Sequence, residues 1–241
     1  MGFETAVIFC AGQGQRMRPL TENTPKPLLT LGGQPILARL LERLFEEGVT
    51  RVVVNAHHLA PQIEAFCEPY PQVRVVREAQ LLDTGGALRA MAGQGLLPEA
   101  PFYVLNGDTT WVDGPSPALR RLREGFDPAR HDALMLLART AGAVADTGLG
   151  DFVWPRDGAL ARRGERDVAP FCYAGVQVMS RALLAADHGV VFSLNRLWDD
   201  ALARGRLGAI THDGVWFHLS TPEGLALAEE ALAALVVGNA T

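Results

Sequence analysis

Several features that would assign the chain to a special class are missing. The cysteines, Cys10, Cys67 and Cys172, are odd in number and show no Cys-x-x-Cys spacing, so neither a disulfide framework nor a zinc site is indicated. That absence fits a reducing, cytoplasmic setting. No stretch approaches about eighteen uninterrupted apolar residues, and the short N-terminal apolar run lacks a basic segment before it. The expectation is a chain that is neither exported nor membrane-spanning. Positive charge is also in deficit: the net charge of -5 and the pI near 5.7 argue against a nucleic-acid partner. Any anion site must therefore be built locally. No internal repeat, linker or low-complexity segment interrupts the 241 residues, of which 48% are hydrophobic and 20% charged. One domain spanning 1–241 is expected.

Two common nucleotide motifs are missing as well. A dinucleotide fingerprint needs a third glycine where this chain has Met17, and an acidic residue about twenty positions on; both requirements fail. A P-loop string is absent. What the chain does have is an apolar run, Val7 to Phe9, that breaks into Gly12-Gln13-Gly14 and is followed by Arg16, Arg18 and Lys26. A buried strand opening onto a glycine loop with cations soon after suits an anion, and phosphate is the natural one. Without a Cβ, Gly12 and Gly14 can take left-handed backbone and let N–H groups approach phosphate oxygens. The backbone of Ala11, Gly12, Gly14 and Gln15 is the candidate cradle, and Pro19, Pro25 and Pro27 stiffen the segment that delivers Lys26. On its own, Gly-x-Gly after a strand is more often an ordinary turn than a phosphate loop.

The rest of the chain alternates strand and helix. Strands are expected over 5–9, 51–55, 73–76, 101–105 and 133–138. Helices are expected with Leu37, Leu40, Leu41 and Leu44 on one face, ending at Gly48, and then over 59–66 and 116–124. That alternation predicts an α/β fold of three layers, a mixed but mostly parallel central sheet with helices on both faces. Ligands of such sheets sit beyond the carboxyl ends of the strands, where the Gly12 loop lies. Asp83-Thr84-Gly85-Gly86 reads as a helix start with Asp83 or Thr84 as cap, or as a place where a ligand approaches the backbone at Gly85 and Gly86. Asn106-Gly107-Asp108 ends a central strand and is either a turn or the stand of a metal ligand.

The pattern loosens after residue 140. Gly150-Asp151-Phe152 and Asp157-Gly158 suggest a loop and hairpin, treated as an insertion over the site at about 140–170. A glycine inside the strand Ala174 to Val178, Gly175, marks a bulge or close approach. Ser193 starts a helix that stops at Gly205. Strands over 207–211 and 215–219 follow, and Thr221-Pro222 opens the last helix.

The string Phe9-Cys10-Ala11-Gly12-Gln13-Gly14-Gln15-Arg16-Met17-Arg18-Pro19-Leu20-Thr21 with Pro25-Lys26-Pro27-Leu28 resembles the signature of the sugar-1-phosphate nucleotidyltransferases. Within that family the chain is most similar to the short N-acetylmuramate-1-phosphate uridylyltransferases, with mannose-1-phosphate guanylyltransferases next. The resemblance implies a three-layer Rossmann-like nucleotidyltransferase fold. It also implies transfer of a nucleotidyl group from a nucleoside triphosphate, UTP by this likeness, to a sugar 1-phosphate, with Mg2+ as cofactor. By the same resemblance Arg16 meets the triphosphate, Lys26 the α-phosphate and Asp108 the magnesium. Gly85 and Gly86 lie against the nucleotide, and Asn106, Asp151 and Gly175 lie beside the sugar phosphate. The family's second metal-holding aspartate, in Trp-x-Asp, is His218 here. His218 could act through a water, leave the metal to Asp108 and substrate, mark lost activity, or simply pack near Trp216; the reading taken is Asp108 plus phosphates, with His218 near. Guanylyl transfer to mannose or heptose 1-phosphate, and non-catalytic nucleotide or sugar-phosphate binding, are the alternatives. Oligomeric state cannot be located in the sequence.

Overall fold

The structure, a computed structural model, describes residues 3–145, 147–156 and 158–238. Asp157 of the expected hairpin turn lies outside the described residues. The chain opens with β1 (Thr5–Phe9), the small hairpin β2 (Thr30–Leu31) and β3 (Gln34–Pro35), then α1 (Ile36–Glu46) and β4 (Arg51–Ala56). Next come α2 (Ala60–Cys67), β5 (Val73–Arg77), α3 (Asp83–Gly93), β6 (Phe102–Asn106), β7 (Thr110–Val112), α4 (Ala118–Gly125) and β8 (Ala133–Arg139). The remainder is β9 (Phe152–Val153), β10 (Ala161–Arg162), β11 (Phe171–Met179), α5 (Leu194–Ala203), β12 (Leu207–Thr211), β13 (Val215–Phe217) and α6 (Pro222–Gly238).

The nine-stranded sheet is mixed and mostly parallel, as the alternation implied. β5, β4, β1 and β6 run parallel side by side, and β12 is parallel to β8. β11 lies reversed between β6 and β8. Alternation along each strand feeds two cores: Ile8, Val52, Val54 and Leu105 face α1, while Val7, Val53 and Val104 face α3 and α5. Apolar residues on both faces are what a covered sheet requires. The central strand β1 is paired on both sides, so Phe9 aligns with Asn55 and Asn106 at the carboxyl ends of its neighbours.

Helix ends follow local chemistry. Gly48, at φ +90, closes α1: its N–H bonds the Phe45 carbonyl and the Val49 N–H bonds that of Leu44. Gly205, at φ +65, closes α5 in the same way through Leu202 and Ala201. These are the paired bonds a left-handed residue after a helix permits. Thr221 caps α6 as expected, its hydroxyl accepting from the Gly224 N–H at 3.1 Å. The helix start at Asp83 differs from expectation. Leu82 stands at the cap with no side-chain bond to the helix, and Asp83 sits at φ +58. The Thr84 hydroxyl instead accepts from the Leu194 N–H at 2.9 Å.

The buried polar side chains set a pH dependence. Burial holds the His212 imidazole below its ordinary value of 6.5, against the opposing pull of Asp113 and its backbone bonds. Burial and neighbouring Arg130 do the same to His131, which accepts the Asp127 N–H through Nδ1 and must be neutral to do so. A depressed histidine is protonated first in the unfolded chain, so its contribution is intact above pH 6.5 and is lost as pH falls below that value. The melting temperature is expected to drop between pH 7 and pH 5.5, and His212→Gln to make that slope shallower. Parallel melting curves for the two proteins across this range would exclude His212 as a source.

Candidate active site

A cavity of about 650 Å³ opens at the carboxyl ends of β1, β4, β5 and β6. The loop after β1 forms one wall. Gly14 sits at φ +60, where an added Cβ would come within 2.9 Å of Thr21 Cγ2, and its carbonyl accepts from the Thr21 hydroxyl at 2.8 Å. Only glycine suits that position. Gly12 differs: its φ is not in the left-handed range and a Cβ there would meet nothing within 4 Å. Neither packing nor backbone conformation requires glycine at 12, and the residue lines the cavity. Ala11, also at the cavity, is buried, and the exposed Gln15 bonds Gln13 side chain to side chain at 2.7 Å.

The cations arrive on two short 3₁₀ turns, Gln15–Met17 and Lys26–Leu28. Pro25 and Pro27 bracket Lys26, and the Leu28 N–H closes on the Pro25 carbonyl at 2.8 Å. Lys26 Nζ reaches Asp108 Oδ2 at 2.6 Å, with the lysine side chain 11% exposed and the aspartate 40%. Asp108 thus keeps part of its carboxylate open to the cavity while the lysine is pinned. Arg16 is exposed, lines the cavity and makes no ion pair among the described residues.

Asp108 owes its place to its neighbours. Gly107 N–H bonds the Phe9 carbonyl at 2.9 Å, and a Cβ on Gly107 would lie 2.5 Å from that oxygen and 2.8 Å from Cys10 Sγ. The loop therefore lies directly on the end of β1. On the far side the Thr109 hydroxyl donates to the Ala174 carbonyl at 2.6 Å and accepts from Trp216 Nε1 at 3.2 Å. Gly175, at φ +77 in a bulge of β11, makes room for Thr109, which a Cβ would meet at 2.7 Å. Gly175 thus supports the Asp108 loop from behind. Asn106, at the end of β6, lines the cavity.

His218 reaches this loop through a separate ladder. β13 pairs antiparallel with β7 with Phe217 opposite Thr110, so the residue after Phe217 falls beside the residues before Thr110. The His218 ring packs edge-on to Trp216 at 5.3 Å between centroids. Burial, then Lys26 and Arg16, hold its imidazole below the ordinary 6.5, with Asp108 and Asp151 pulling the other way. It is thus both packed against Trp216 and within electrostatic reach of the Lys26–Asp108 pair. Asp151 precedes β9, exposed, with Oδ2 accepting the Tyr173 N–H at 2.9 Å.

Gly85 and Gly86 face elsewhere. Their N–H groups bond the Phe192 carbonyl at 2.9 and 3.0 Å, and a Cβ on either would strike Phe192 or Val190 at 2.3 Å. Their small size seats the segment before α5, and it is Asp83 and Thr84 that line the cavity. Among the cavity residues that escaped the sequence reading are Asn55 and Glu78. Each is polar and lies at the carboxyl end of a parallel strand, Asn55 next to last in β4 and Glu78 just after β5, a position that could have flagged them.

The glycine loop, both cations and the open carboxylate thus meet over one cavity at the carboxyl ends of a mostly parallel sheet. A family model described as the MobA-like NTP transferase domain matches residues 6–204, and the chain belongs to that family. Within it the chain is a sugar-1-phosphate nucleotidyltransferase. It is 32% identical over 236 residues to N-acetylmuramate alpha-1-phosphate uridylyltransferase of Caulobacter vibrioides, covering 95% of this chain and 96% of the relative. The enzyme of that name from Neisseria meningitidis serogroup B is 40% identical over 107 residues, 43% of this chain and 46% of the relative. Among solved structures, UDP-glucose pyrophosphorylase complexed with UDP-glucose shares the fold at a TM-score of 0.78 and 15% identity, covering 96% of this chain and 99% of the other.

The contact at Gly107 yields a direct test. Gly107→Ala is expected to lower stability by about 1–3 kcal/mol, as overpacking does. Adding Cys10→Ala should restore little of it, because the nearest clash is with the Phe9 carbonyl rather than the thiol. Chemical denaturation of the two variants checks this, and full recovery in the double variant would place the strain at the thiol.

Proposed function

We propose that the protein transfers a uridylyl group from UTP to N-acetylmuramate 1-phosphate and releases pyrophosphate, in cytoplasmic recycling of cell-wall sugars. The observation that carries the transfer is Lys26 paired with Asp108 at the cavity, beside the glycine loop. The choice of base and sugar is supported by the similarity to the Caulobacter uridylyltransferase.

The sugar phosphate brings its own nucleophile, so the protein's work is to position two anions and offset their charge. In this reading the loop Ala11 to Gln15 cradles the triphosphate. Arg16, unpaired among the described residues, meets its outer phosphates and the departing pyrophosphate. Lys26 exchanges Asp108 for the α-phosphate. Asn106 and Asp151 address the sugar phosphate, and Gly175 holds the loop between them. The hairpin excursion at about 140–170 forms the sugar side of a single domain.

The donor set bears on the metal. No cluster of three or more His, Cys, Asp or Glu side chains among the described residues could hold an ion alone. Magnesium, however, commonly keeps its waters and takes one or two carboxylates together with substrate phosphates. The open oxygen of Asp108 fits that role, and an ion so held would offset phosphate charge. Imidazole is a poorer ligand for magnesium than carboxylate is, which is why His218 is read as near the ion without holding it.

A screen of four nucleoside triphosphates against a panel of sugar 1-phosphates, read by pyrophosphate release, tests the proposal. UTP with N-acetylmuramate 1-phosphate is expected to lead; GTP with mannose or heptose 1-phosphate as the best pair would select the guanylyl reading. Lys26→Ala and Asp108→Asn are expected to lose about a hundred- to a thousandfold in rate while remaining folded. No release with UTP and N-acetylmuramate 1-phosphate would overturn the proposal.

His218 gives a separate prediction. His218→Asp is expected to tighten the apparent magnesium affinity of turnover, because an anionic oxygen replaces a neutral nitrogen beside Asp108. Overlapping magnesium titrations of the two proteins would reduce His218 to packing against Trp216.

A further inference from the structure

One polar chain beneath the cavity takes no part in the transfer as described. Asn55, at the carboxyl end of β4, is 4% exposed, and its Oδ1 accepts the Cys10 N–H at 2.8 Å. That amide must find an acceptor because it is buried, so the orientation of the Asn55 side chain is dictated: oxygen toward Cys10, nitrogen away. Nδ2 then donates to Glu78 Oε1 at 2.8 Å. Glu78, itself 8% exposed, uses Oε2 to accept the Leu82 N–H at 3.2 Å. Backbone bonds fix Glu78 in turn, its N–H on the Ala56 carbonyl at 2.8 Å and its own carbonyl on His57 Nδ1 at 2.9 Å.

The chain Cys10–Asn55–Glu78–Leu82 thus crosses the ends of β1, β4 and β5. At one end it holds the first residue of the glycine loop; at the other it holds the residue before Asp83 and Thr84, which form the opposite wall. Among the described residues no backbone hydrogen bond links these two walls directly. We propose that Asn55 and Glu78 are positioning residues that set the width of the nucleotide cleft by joining its two walls through side chains. The arrangement is directional. A carboxylate at 78 can accept two donors at once, whereas an amide there offers only one accepting oxygen.

The inference rests on reading the cavity as a nucleotide site. Glu78→Gln is the deciding variant, since it keeps the shape and the bond to Asn55 but sets an N–H group against the Leu82 N–H. Asn55→Ala, which removes both bonds, is its companion. Binding of a fluorescent UTP analogue by anisotropy, together with KM for each substrate, gives the readout. The expected result is about a tenfold weaker nucleotide binding for Glu78→Gln, a matching rise in KM for the triphosphate, and an unchanged KM for the sugar phosphate. Asn55→Ala should be at least as weak. Equal losses for both substrates, or a melting temperature that falls while nucleotide binding stays intact, would overturn the positioning role and leave the bridge structural. A wild type that binds no nucleoside triphosphate, the natural ones included, would overturn the cavity assignment instead, so the two failures are distinct.

Discussion

Lys26 and Asp108 hold each other across 82 positions of sequence, and the architecture around the cavity serves to bring them there. Each needs its own scaffold. The lysine is fixed by prolines on a short turn, and the aspartate by a glycine that rests on the Phe9 carbonyl and a threonine anchored to β11. A part-buried pair of opposite charges is a weak source of stability, because desolvation cancels most of the attraction. What the pair does supply is orientation: each charge holds the other in place at the cavity.

His218 sets the electrical balance of the same region. Its imidazole, kept neutral by burial and by Lys26 and Arg16, adds no charge beside Asp108. The cations are then offset by Asp108 and Asp151 alone among the groups that act on His218, which suits a site whose incoming ligands are themselves strongly anionic.

How much of this could be read in advance depends on the range of the interaction. Strands of β-branched residues and helices with one leucine face declared themselves, to within a residue or two at most ends, because local pattern decides them. Gly14 and Gly48 met expectation since a left-handed backbone is a local property. Gly85 and Gly86 did not: the groups that need their small size, Val190 and Phe192, lie a hundred residues on, beyond any local signal. The same holds for the reversed placement of β11 between β6 and β8, and for Asn55 and Glu78, whose significance lies in three strand ends meeting. Glycine alone says that room is needed; only the fold says for what.

The ladder between β7 and β13 has a temporal consequence. Synthesis runs from the N-terminus, and domains organise as they emerge. The glycine loop and its cations are made before Asp108, and the strand that leads to His218 alongside it is made after both. A nascent chain can therefore lay down the parallel body of the sheet while its cationic loop still lacks a complete opposite side. Phosphate compounds of the surroundings meet a finished site only after β13 has left the ribosome.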